Sequence, residues 1–185
     1  MSKNSIPSNT FNKDHLEVVL PAFRGLDAVS INMVALKEAE RRLIEAKTVT
    51  PSTYTELEYV MGEAYREIKK NLATVGYQIL KTENELERSK ASALLDRYPA
   101  FLEGKPAKFD NAAIRDAFLA RDTEVQEAKE RLDSLKTLQV FLEGRVKVME
   151  NVCHYMRNAM RLVMKSGVPT DIYYNNKSNT GEENG

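Results

Sequence analysis

The chain has one cysteine, two histidines and no tryptophan among its 185 residues. The lone cysteine, Cys153, excludes an intramolecular disulfide framework and any zinc site built on paired cysteines. His15 and His154 are the only imidazoles available as bases or metal ligands. No run of about 18 apolar residues is present to span a bilayer. The opening MSKNSIPSNTF lacks the basic-then-apolar pattern of a signal peptide, so the expectation is a cytoplasmic protein with no membrane partner. Net charge is also missing: 27 Lys and Arg balance 27 Asp and Glu. Any nucleic-acid surface must therefore come from local charge segregation. There is no glycine-rich phosphate loop, no nucleophile elbow and no His-Glu pair at zinc spacing. Asp116, Asp122, Glu124 and Glu127 do not repeat the Glu-x-x-His pattern of di-metal bundles. The expectation is a protein that is not an enzyme and takes no cofactor or metal.

What the chain does have is helical periodicity. Residues 1–26 read as a polar, flexible start followed by an apolar arm, His15 to Leu20, stopped by Pro21 and Gly25. A helix is predicted over 27–46, because Val29, Met33, Leu36 and Leu43 share a face, with Asp27 as N-cap. A second is predicted over 51–98, with Thr50 as cap and Pro51 at its first position. Its apolar face is Leu57, Met61, Ala64, Ile68, Leu72, Val75, Ile79, Thr82, Leu86 and Ala93, with a stutter at Ala64, Ile68 and Leu72. Pro99, Gly104 and Pro106 predict a loop. A third helix is predicted over 111–165, ended by Gly167 and Pro169. Residues 27–168 thus read as one helical coiled-coil domain, and 169–185 as a disordered tail.

The third helix carries a 4-3 repeat over about seven heptads, running Ile114, Phe118, Arg121, Val125, Ala128, Leu132, Leu135, Gln139, Leu142, Val146, Met149, Cys153, Met156, Met160 and Val163. Only Arg121 and Gln139 are polar, and both are expected to set register or oligomer state. The fold class is therefore all-α: a long antiparallel helical hairpin, or coiled coil, with an extra N-terminal helix. The third helix outruns its partner beyond Val152; the first helix, the arm at Leu16 to Leu20 or self-association would cover the excess, and self-association along the seam from Leu132 to Val163 is favoured. Cys153, at a seam position, reads as a small buried hydrophobe.

Charge is segregated along this helix. From Asp110 to Asp133 seven acids face four bases; from Arg145 to Lys165 five bases face one acid, Glu150. Arg157, Arg161 and Lys165 follow one another at i, i+4, i+8, beside His154 and Tyr155, and suit phosphates. Cations in the last turns of a helix also complement its dipole, so the pattern admits both explanations. A second basic group gathers toward the hairpin tip: Lys81, Arg88, Lys90, Arg97, Lys105, Lys108 and Arg115, interleaved with Tyr98, Phe101 and Phe109. Rings among cations suit single-stranded nucleic acid; the same phenylalanines could equally close the end of the hairpin core.

The stretch Ser89-Lys-Ala-Ser-Ala-Leu-Leu-Asp96-Arg-Tyr98, a Gly-containing turn, Asp110 to Arg115, and Ala120-Arg-Asp-Thr-Glu-Val125 opening a long helix together resemble the UvsY-type recombination mediators of tailed phages. The resemblance spans Leu72 to Arg161. It implies a ring-like homo-oligomer that binds single-stranded DNA, remodels the single-strand-binding protein and loads a RecA-type recombinase, in the host cytoplasm if phage-encoded. The family's Lys-Ala-Arg stretch before the turn maps its lysine onto Lys90, whereas Ser92 stands at its arginine. The N-terminal helix and arm lie beyond the resemblance. Balanced charge leaves a second expectation open: a non-enzymatic coiled-coil scaffold or inhibitor that binds a host or phage protein.

Overall fold

A computed structural model describes residues 17–46, 48–167 and 170–171. His15 and Leu16 of the arm, the polar start before them, and the tail from 172 with Tyr173 and Tyr174 lie outside the described residues. The chain is mostly helical. It divides into two compact units, one drawn from Met1–Pro21, Ala28–Asn71 and Arg145–Gly185, the other from Ala22–Asp27 and Leu72–Gly144.

In the first unit, strands β1 (Glu17–Leu20) and β2 (Val29–Asn32) pair antiparallel, with Leu20 opposite Val29 and Val18 opposite Ile31. Successive strand residues point to opposite faces, so Val29 and Ile31 are buried while Ser30 and Asn32 are exposed. The helix expected from Asp27 is corrected here. Val29 and Met33 fit helical spacing, but Val29-Ser-Ile-Asn32 also alternates with period two, and β-branched Val29 and Ile31 favour the strand. Helix α1 (Val34–Ala46) begins only afterwards, and Asn32 Oδ1, not Asp27, accepts the Val34 N–H at 2.8 Å. Strand β3 (Thr48–Val49) follows α1 and pairs with β4 (Thr170–Asp171), which corrects the start of the expected disordered tail. A two-residue strand has no periodicity to read.

Helix α2 (Pro51–Ser92) opens as expected. Thr50 Oγ1 accepts the Thr53 N–H at 3.2 Å, and Thr53 Oγ1 accepts the Thr50 N–H at 2.8 Å, a reciprocal cap ahead of Pro51. The core of this unit takes Leu57, Met61, Ala64 and Ile68 from α2, and Val146, Met149, Met156 and Val163 from helix α5 (Thr123–Ser166). Tyr65 donates to Glu150 at 3.0 Å, and α1 is tied down by Arg42–Glu56 at 2.7 Å and Arg145–Glu40 at 3.2 Å. Gly167, at φ +68°, stops α5 and donates its N–H to the Val163 carbonyl, the glycine cap expected there.

In the second unit, Phe23 and Leu26 exchange backbone hydrogen bonds of 2.9 and 2.7 Å around Arg24 and Gly25, whose φ angles are 44° and 79°. Two successive positive φ angles make a type I′ turn, where the sequence predicts only a stop to the arm. Arg24 pairs with Glu124 and Glu127, and the buried Arg131 donates to the Asp27 carbonyl at 3.1 Å beneath the Phe23 ring. Val75, Thr82 and Ala93 of the α2 run and Ala128, Leu135, Leu138 and Leu142 of α5 form the core. Lys136 meets Glu83 at 3.0 Å.

The expected helix end at Tyr98 is also corrected. A π-helical turn, Ala93–Arg97, in which the Tyr98 N–H reaches back to the Ala93 carbonyl, carries α2 directly into helix α3 (Tyr98–Leu102). Pro99 has no N–H and its ring crowds the turn before it; the wider π turn accommodates both defects without ending the helix. The predicted third helix is in turn two helices, α4 (Ala112–Leu119), capped by Asn111 accepting the Ile114 N–H at 3.1 Å, and α5.

The seam is shifted at Leu138 and Gln139. Leu132, Leu135 and Leu142 are buried as the repeat requires, but Leu138 is 1% exposed, whereas Gln139 is half-buried and donates to Glu143 at 3.0 Å. A strict seven-residue repeat drifts about 20° per heptad on a straight helix, enough for the neighbouring position to take over. Chemical denaturation should therefore separate the two positions: Leu138→Ala should lower the unfolding free energy by about 2–5 kcal/mol, and Gln139→Ala by under about 0.5 kcal/mol. Equal costs would reject this register.

Candidate nucleic-acid interface

The tip residues all belong to the second unit. Tyr98 is buried, its ring edge-on to Phe118 at 5.2 Å, and Phe101 lies 5.2 Å from Phe118 and 6.2 Å from Phe109. The Tyr98 hydroxyl donates to Asp110 at 3.0 Å, and Asp110 also receives both branches of the Arg115 guanidinium at 2.9 and 3.0 Å. Arg115 and then Tyr98 hold the Asp110 carboxyl below its ordinary pKa; burial, then the bond to Asp110, push the Tyr98 phenol up. A cleft of about 550 Å³ opens beside this cluster, lined by Phe101, Phe109, Ile114, Phe118, Arg97 and Arg121 among others. Phe109, Ile114 and Phe118 are half-buried, and Phe101 is 38% exposed. The rings thus close the end of the core and still present apolar surface outward.

The cations picked out from sequence are not equivalent. Arg97 is committed internally, with both branches on Asp122 at 2.7 and 2.9 Å and a third interaction with Glu124 at 3.1 Å. Arg115 is committed to Asp110. Lys90 sits 2.8 Å from Glu87, and Lys81 lies over the Tyr77 ring at 4.7 Å. The Lys105 ammonium lies 3.1 Å from the Phe101 centroid and 4.8 Å from that of Phe109. Arg88 is 82% exposed and only loosely placed, 4.0 Å from Glu85. Lys108 is exposed and makes no ion pair among the described residues. The structure therefore brings Lys105 and the phenylalanines together, and turns Arg97 and Arg115 into internal struts.

Arg121 is a candidate site residue that the heptad count hides, because it falls at a seam position. It lies in the break between α4 and α5, exposed and at the wall of the cleft. The signal that could have found it is the next residue. Asp122 Oδ1 accepts the N–H groups of Glu124 and Val125 at 3.1 and 3.2 Å, which makes Asp122 an N-cap and leaves Arg121 outside the helix.

In the first unit, Arg157, Arg161 and Lys165 are exposed and make no ion pair among the described residues. Tyr155 is exposed beside them, and His154 engages Asn158 at 3.0 Å. Burial, the largest influence, pushes the half-buried Cys153 thiol up, which keeps it protonated near neutral pH. The residues expected to form an oligomer seam are covered within one chain: Leu132, Leu135, Leu142, Val146, Met149, Met156 and Val163 are buried, and Cys153 and Met160 are half-buried. Most of them lie in the cores of the two units. Among the described residues no group of three or more His, Cys, Asp or Glu could hold a metal ion, and no helix is long and apolar enough to cross a membrane.

Burial alone would raise the Asp122 carboxyl; the Arg97 guanidinium and the Val125 and Glu124 N–H groups outweigh it and hold the group below its ordinary pKa. A carboxyl depressed in the folded state stabilises above its unfolded pKa, and that contribution is lost as pH falls through the folded value. Acid denaturation should accordingly draw on Asp122 below about pH 4. Asp122→Ala should cost about 2 kcal/mol by removing cap and pair together. Asp122→Asn keeps a capping oxygen, so it should cost less and flatten the acid limb. A wild-type acid limb in Asp122→Asn would refute the assignment.

No family model, curated protein or solved structure matches the chain.

Proposed function

We propose that the chain is a non-enzymatic recombination mediator that binds single-stranded DNA through the tip of the second unit and assists loading of a RecA-type recombinase. In this reading it acts as a homo-oligomer in the cytoplasm, of a host cell if phage-encoded, alongside a single-strand-binding protein. The observation that carries it is the grouping of Lys105 and Arg121 with three phenylalanines that remain partly open to solvent. Phosphates need cations and unstacked bases need rings, and the tip holds both. The resemblance to UvsY-type mediators supports the same place, since its turn falls between Tyr98 and Asp110. Of the cations expected to meet DNA, Arg88, Lys105 and Lys108 stay available, and Arg121 joins them; Arg157, Arg161 and Lys165 form a separate candidate surface.

The reading also takes α2 and α5 as arms of an antiparallel coiled-coil hairpin. Tyr65 of α2 meets Glu150 of α5 within the first unit, and Glu83 of α2 meets Lys136 of α5 within the second, so later residues of α2 have earlier partners in α5. The alternative, a scaffold that binds only protein, is separated from the mediator by one measurement.

Fluorescence anisotropy with a labelled oligonucleotide should show binding whose log affinity falls linearly with log salt. Changing Lys105, Lys108 and Arg121 to Glu should weaken it and make the slope shallower by about 0.7 for each phosphate no longer neutralised. The same charge reversal at Arg157, Arg161 and Lys165 should weaken it less. Absence of binding at low salt, or binding indifferent to salt, would leave the scaffold reading in place.

A further inference from the structure

We infer that the tip cleft is a base pocket: it takes one unstacked nucleobase of a single strand against Phe101, with the adjoining phosphates on Arg121 and Lys105. The inference rests on the proposed single-strand function of the tip and adds the subsite.

The cleft has the right size. At about 550 Å³ it lies in the range of roughly 300–1,000 Å³ usual for small-molecule sites. A cavity in the first unit between α1 and the long helices, at about 30 Å³, has room for little more than a water. The lining is also right. Phe101, Phe109, Phe118 and Ile114 supply flat, apolar wall, and neighbouring rings in the series Phe118, Phe101, Phe109 keep within 6.2 Å of each other.

Charge then selects the occupant. Arg97 contributes almost no net field to the cleft, because Asp122 neutralises it in a two-branched pair. Arg121 is exposed and makes no ion pair among the described residues, and the Lys105 ammonium is held at the Phe101 ring. A ligand that matches this wall offers a π face and a nearby anion. A nucleotide in a single strand offers both. A base pair in a duplex keeps its faces in the stack and cannot enter, so the cleft distinguishes single from double strands.

The test compares oligo(dT) with an abasic strand of equal length, which keeps the phosphates and lacks the bases. Phe101→Ala should weaken oligo(dT) binding by about 5- to 150-fold, the range for one stacked base, and leave the abasic strand unchanged. Because the chain has no tryptophan, Phe101→Trp gives a single reporter at the site. It should retain affinity, and its emission should be quenched by oligo(dT) but not by the abasic strand. Bound oligo(dT) with unquenched Trp, or equal wild-type affinity for the two strands, would overturn the base pocket while leaving phosphate binding standing. If neither strand binds, the base pocket falls together with the proposed function.

Discussion

The carboxylate of Asp122 decides how the second unit is built. It starts α5 by accepting two first-turn N–H groups, and it holds Arg97, at the end of the π turn, through two parallel hydrogen bonds. One side chain therefore joins the end of one helical run to the beginning of another. Because the cap sits at 122, the helix cannot run unbroken from 112, and the residues between α4 and α5 turn out of the helical path. Arg121 is exposed as a result, and the cleft has its wall. The aromatic cluster depends on the same junction, since Phe118 belongs to the helix that ends there and Phe101 to the run that Arg97 anchors.

Much of the helical content could be read directly. Thr50 with Pro51, Asn111 and Gly167 begin or end helices where their side chains or φ angles dictate, and Leu57, Met61, Ala64, Ile68 and Val75 of the α2 face are buried as their spacing implies. The failures have physical causes. Val29 to Asn32 satisfies two periods at once, and only the pairing with β1, fixed by a distant stretch, chooses between them. Pro99 carries a strong local veto on helix, but a π turn escapes it by changing the hydrogen-bond register rather than the residue. At Leu138 and Gln139 a count of sevens gives way to the neighbouring position, because an α-helix turns every 3.6 residues. The candidate site was legible as a region and not residue by residue. Sequence brings acids and bases near in number without saying which of them pair in space.

That pairing governs what the charges can do. Arg97 and Arg115, the most sequence-conspicuous arginines near the aromatics, are taken up by Asp122 and Asp110 and matter more to the fold than to a ligand. On α1, Arg41 and Arg42 share Glu38, whose carboxyl their hydrogen bonds pull down to about 2. Pairing of this kind occupies many of the cations, while exposed ones without an ion pair among the described residues remain in both units, Lys129 and Lys147 among them. At the tip, Lys105, Lys108 and Arg121 are exposed and make no ion pair among the described residues, and they mark the candidate surface.

On the proposed reading, three tip cations, Lys105, Lys108 and Arg121, limit what counterion release can add to strand binding. Each phosphate neutralised on a single strand contributes a slope of only about 0.7 in the log-log salt dependence, so two or three such pairings give modest affinity that salt easily erodes. Stacking has the opposite character. It adds about 1–3 kcal/mol per base, tolerates any sequence and is insensitive to ionic strength in comparison with phosphate binding. A tip with three partly open phenylalanines and a handful of cations is balanced toward the second kind of binding. On the proposed reading such a surface would hold unpaired bases without competing for the whole phosphate backbone, and would leave the strand free for a second protein that binds by charge. That division suits a factor whose proposed task is to pass the strand on to a recombinase.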